Sequence, residues 1–100
     1  MAGVCQTSYI VPEAKITFLL GRLVQEGLLE SAPPVRPGSM LIPLKGCSDG
    51  LHPSISIWPS NDQSGRRRVD LGYLISQKSV AEKFYHIFLQ HGVHQQDKSA

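Results

Sequence analysis

Two cysteines in 100 residues, Cys5 and Cys47, are too few and too far apart for a disulfide-built scaffold, a zinc ribbon or a dithiol redox motif. They read as reduced thiols. Aromatic residues make up 7% of the chain, with Trp58 the single tryptophan, so the paired stacking platform of single-strand RNA readers is missing. Neither sign of charge dominates: ten Lys and Arg against eight Asp and Glu leave +2, and the placement of cations matters more than their sum. The longest apolar stretch, residues 16–24, is broken by Thr17, Gly21 and Arg22, far short of a membrane span. Residues 1–9 carry no basic segment followed by an apolar one, so the expectation is a cytoplasmic protein without membrane insertion.

Catalytic signatures are also lacking. There is no G-x-S-x-G, H-E-x-x-H or phosphate-binding loop, and the carboxylates are scattered without a close acid–base pair. The expectation is a protein that is not an enzyme and needs no cofactor. His86, His91 and His94 are spaced wrongly for a helical metal pair, since His86 and His91 stand five apart and His94 follows Gly92. No metal site is expected.

What is present is enough apolar content, 41%, for the core of one domain. Pro12 and Glu13 resemble a helix start, and Ile16, Leu19, Leu20, Leu23 and Val24 form one helical face, with Gly27 a candidate stop. Pro33, Pro34, Pro37 and Gly38 then break all regular structure. Residues 39–45 read as a strand that Pro43 marks as an edge or bulge, and Ser54–Ile57 alternates as a second. In residues 66–75, Val69, Leu71, Tyr73 and Ile75 give a third strand with one buried face. Ser76 suits an N-cap, and Val80, Phe84, Ile87 and Phe88 share one side of a final helix that stops near Gly92. The expectation is an α+β fold in the order α-β-β-β-α: a three-stranded antiparallel sheet with two helices packed on one face. Residues 1–11 form an arm, 12–93 the domain and 94–100 a polar, frayed tail.

Arg66, Arg67 and Arg68 are the one dense charge cluster. Strand alternation puts Arg66 and Arg68 on the face opposite Val69 and Leu71, the open face, and Arg67 on the other. Guanidiniums there suit phosphate, although a charged hairpin also protects a strand edge. Trp58 could stack on a base or a partner, but a lone tryptophan reads first as core or lid.

Gly38-Ser39-Met40-Leu41-Ile42-Pro43-Leu44-Lys45, Arg66-Arg67-Arg68-Val69 and Ser76-Gln77-Lys78-Ser79-Val80-Ala81-Glu82-Lys83-Phe84, in this order, resemble the fourteen-kilodalton subunit family of the signal recognition particle. Pro43 stands where that family usually has threonine, the loop 46–53 is shorter and less basic, and the tail has only Lys98 where the family often carries a lysine-rich extension. The resemblance implies an RNA-binding subunit of the particle's Alu domain that pairs with a smaller nine-kilodalton subunit. It would bind the Alu portion of the particle RNA and meet the ribosome indirectly, slowing elongation during protein targeting. Arg66, Arg67, Arg68 and Lys45 would then contact phosphate, with Lys78 and Lys83 as further RNA-binding residues. Two alternatives stand beside it. A double-stranded RNA-binding domain would need more lysine at the start of the last helix than Gln77, Ser79 and Glu82 leave room for. A protein-interaction module would use the exposed sheet or the edge near Pro43 without RNA. A winged helix is excluded because residues 1–11 cannot supply its earlier helices.

Overall fold

The computed structural model describes residues 3–47, 49–59 and 65–96. Its elements run β1 (Val4–Pro12), α1 (Glu13–Gln25), β2 (Met40–Pro43), β3 (Ser54–Ile57), β4 (Arg66–Leu74), a single 3₁₀ turn (Ile75–Gln77) and α2 (Lys78–Gln90). The class is α+β, but the sheet has four antiparallel strands in the order β1-β4-β3-β2, not three. The expected arm is β1. It pairs with β4 along its whole length, from Val4 opposite Leu74 to Pro12 opposite Arg66. The turn chemistry of residues 60–65 falls, except for Gly65, outside the described residues.

The alternation of side chains divides the sheet cleanly. Tyr9, Val11, Ile42, Ile55, Ile57, Val69 and Leu71 point to one side and are buried. α1 covers them with Ile16, Leu19, Leu20 and Leu23, the stripe its sequence announces, and α2 adds Phe84, Ile87 and Phe88. The Tyr9 ring meets those of Phe84 and Phe88 at centroid distances of 5.4 and 4.9 Å. The core is closed. A hollow inside it, lined by Val11, Leu20 and Phe88 among others, holds about 10 Å³, no more than a water occupies.

The helices lie antiparallel. Lys15 Nζ, early in α1, donates to the His91 carbonyl at 2.8 Å, whereas Glu26, just past α1, accepts from Lys83 Nζ at 3.3 Å. α1 stops where the sequence suggests: Gly27 takes φ +81°, and the Leu28 amide turns back to the Leu23 carbonyl at 2.9 Å. Ser76 is not an N-cap. It sits inside the 3₁₀ turn, and Gln77 precedes α2 and accepts the Leu74 amide with its own side chain at 2.9 Å. The tail is not wholly frayed either, because Gln95 bridges to Tyr9 and the Gln96 amide donates to the Ser8 carbonyl at 2.7 Å, along the outer edge of β1. No helix among the described residues is long and apolar enough to cross a membrane.

Candidate functional site

Both helices occupy one side, so the other face of the sheet is left uncovered. It carries Gln6, Ser8 and Ile10 from β1, Leu41 and Pro43 from β2, Ser54 and Ser56 from β3, and Arg66, Arg68 and Asp70 from β4, of which Ser8, Ser54 and Asp70 are buried. Trp58 continues the row beside Arg68 as its amide bonds the Arg68 carbonyl at 3.0 Å.

Asp70 organises this face. Trp58 Nε1 and Gln6 Nε2 donate to its Oδ2 at 2.8 and 3.0 Å, and Arg68 Nε donates to Oδ1 at 3.0 Å. These side chains lie across the carboxylate and leave Asp70 only 5% exposed although no helix covers it. Desolvation pushes its carboxyl upward. The hydrogen bonds from Arg68, Ser8 and Trp58 and the charge of Arg68 push the other way and win, so it is held below the usual carboxylate range. The Arg68 guanidinium also stands over the Trp58 ring, 5.0 Å from its centroid. Trp58 is therefore a surface residue, 47% exposed, and not the core or lid its rarity suggests.

Around this polar centre the face is apolar, with Val4, Ile10, Leu41 and Trp58 exposed. Beside it the His52 ring lies against Gly72. Its Nδ1 meets Asp49 Oδ2 at 2.9 Å. That bond, with those from the Leu51 and His52 amides, holds the exposed Asp49 carboxyl down at about 2.

The six basic residues singled out from the sequence do not form one surface. Arg66 and Arg68 reach the open face, as alternation predicts. Arg67 is 2% exposed on the opposite side and has another task. Its Nε donates to the Trp58 carbonyl at 2.9 Å, Nη1 to Arg36 at 2.6 Å and Nη2 to Gly38 at 2.8 Å, fixing the proline-rich loop to the sheet. A phosphate has no access to it. Lys45 and Lys83 flank the turn after α1, where the Lys45 amide bonds the Leu28 carbonyl at 2.9 Å and Lys83 reaches Glu26. Arg66 pairs with Pro12 at the other end of that helix, and thirteen helical residues separate the two groups by roughly 20 Å. Lys78 is exposed at the start of α2, on the helix side.

Sequence reasoning missed Asp70, Gln6 and Ser8, because each acquires its role only through the β1–β4 pairing. No protein-family model, curated protein or solved structure matches this chain.

Proposed function

We propose that this chain is a binding module that docks a protein partner on the uncovered face of its sheet, without covalent chemistry. The observation that carries this reading is the composition of that face. Trp58 and Arg68 are held in place by Asp70, with Ile10 and Leu41 exposed around them. Tryptophan and arginine dominate the energetics of protein interfaces, and a pre-ordered pair loses little entropy on binding. The internal ion pair also reduces the net charge the face presents.

RNA is a second reading, favoured by Arg66 and Arg68 beside an exposed indole, a combination that suits phosphates and bases. It is the ligand that the resemblance to the particle subunit implies. It ranks second because Arg67 is buried, Arg68 is paired with Asp70, and Lys45, Lys78 and Lys83 lie away from the face.

The two readings separate in a salt titration with an RNA stem-loop. Docking of protein predicts RNA affinity no better than non-specific, about 10⁻⁴ to 10⁻⁶ M at physiological salt. Tighter binding that falls steeply with salt and is lost in Arg66→Ala/Arg68→Ala would assign the face to RNA instead.

A further inference from the structure

The two edges of the sheet are treated differently. Along the edge of β1, residues 95 and 96 fold back, and the Gln96 amide takes the Ser8 carbonyl. No described residue does this for β2. The phase of its ladder is set by the Leu44 amide, which bonds the Pro53 carbonyl at 2.9 Å and so continues the register of Pro43 opposite Ser54. Antiparallel pairs alternate, so Ile42 and Met40 also turn their backbone groups to β3. Leu41 turns its N–H and C=O outward, and Pro43 adds an outward carbonyl.

Beside this edge runs a groove of two adjoining hollows of about 460 and 400 Å³ that share Glu30 and Pro43. Leu29, Pro33, Met40 and Ile42 line its apolar part. Its outer wall is preformed, because Arg67 grips the carbonyls of Arg36 and Gly38 from beneath the sheet. The groove is also polarised. Arg36 stands at the Met40 end, its amide against Met40 Sδ at 3.4 Å, and Glu30 stands at the Pro43 end, where the two hollows meet. Lys45 borders only the second hollow, beyond Glu30.

We infer that the free edge of β2 and its groove form a second docking site, which takes an extended peptide segment of another protein as an added strand. The Leu41 N–H and C=O supply the main-chain pairing. Alternate side chains of the segment enter the groove toward Met40 and Ile42. A segment antiparallel to β2 begins at the Pro43 end, so it carries a basic side chain near its start, facing Glu30, and an acidic one near its end, facing Arg36. Pro43 has no N–H to offer and limits pairing to a short register, which keeps the edge from recruiting strands indiscriminately. This site borders the open face and shares Leu41 with it, through the backbone of that residue where face docking uses its side chain.

The test is selection of a displayed library of random dodecapeptides on the intact chain, followed by amide exchange of the chain with a selected peptide. The expected peptides alternate apolar residues and run from basic to acidic. Their binding falls about tenfold in Arg36→Glu or Glu30→Lys, is restored in the double variant Glu30→Lys/Arg36→Glu by peptides of reversed charge order, and slows exchange of the Leu41 amide. Leu41→Pro removes the outward N–H without touching the bonds to β3, but a proline also alters strand geometry, so the reversals at the exposed Glu30 and Arg36 carry the test. Failure to enrich any peptide, binding indifferent to both reversals, or an unprotected Leu41 amide would overturn the inference. Concentration-dependent dimerisation abolished by Leu41→Pro would overturn it too, by giving the edge to a second copy. Ile10→Lys, on the open face, leaves peptide binding unchanged, so loss of face docking and loss of edge docking are read separately.

Discussion

Trp58 Nε1 donates to Asp70 Oδ2 at 2.8 Å, joining the end of β3 to the middle of β4 on the side of the sheet that no helix covers. A carboxylate in that position would ordinarily be hydrated. Here Trp58, Gln6 and Arg68 take the place of water, and the indole is held by its Nε1 beneath the Arg68 guanidinium.

This arrangement makes stability depend on acid. The folded Asp70 carboxyl lies below its unfolded value, so its contribution is present above about pH 4 and is lost as pH falls through the folded value. Urea denaturation of the wild type is expected to show a midpoint that drops on acidification. In Asp70→Asn that drop shrinks, because the residue no longer titrates. An unchanged acid profile in Asp70→Asn would mean that the network does not form.

Arg67 is expected to matter to folding and not to ligand binding. Removing its side chain leaves the carbonyls of Trp58, Arg36 and Gly38 without their donor. Each carbonyl left buried without a donor costs about 1–3 kcal/mol, so the loss is a large share of the stability of a small domain. Arg67→Lys rescues little, since an ammonium cannot span three carbonyls as a planar fork does. Chemical denaturation measures both variants.

At the other end of the pH scale, Tyr9 controls the limit. Burial, the largest influence, raises its phenol to about 12, although Thr7 pulls slightly the other way. Its hydroxyl lies near Thr7 Oγ1, yet neither atom meets hydrogen-bond geometry with any partner among the described residues. The neutral phenol is the form that fits the fold. Its contribution is complete below about pH 10, the unfolded value, and is lost as pH rises toward the folded one. Thermal unfolding between pH 9 and 12, followed with tyrosinate absorbance, is expected to show a steep alkaline loss that Tyr9→Phe flattens. At neutral pH the same variant is at least as stable as the wild type to within about 1 kcal/mol, because the hydroxyl it removes is unsatisfied.

Much of the fold is legible in the sequence because burial imposes a period. Leu19, Leu20 and Leu23 announce α1, Ser54–Ile57 matches β3 residue for residue, and the alternation from Val69 through Tyr73 places β4 and the open-face arginines. β1 is not legible in this way. Val4 and Ile10 are exposed on one face of it, while Tyr9 and Val11 are buried on the other, so apolar residues fall on both parities and no alternation appears. Its β-branched and aromatic content was the available signal. The site is less legible still. Charge clustering points to Arg66, Arg67 and Arg68 together, but a strand sends the middle one inward. Nothing local to Asp70 shows that Trp58, Gln6 and Arg68 converge on it, since Gln6 stands 64 residues away along the chain.

The most direct test of docking on the open face is photo-crosslinking in cells, with benzoylphenylalanine replacing Ile10 on that face or Phe18 on the exposed side of α1. The account predicts a discrete adduct from position 10 and not from position 18, resistant to ribonuclease, sensitive to protease and lost when Trp58→Ala is added. An adduct from position 10 that ribonuclease removes, or equal labelling from both positions, would contradict it.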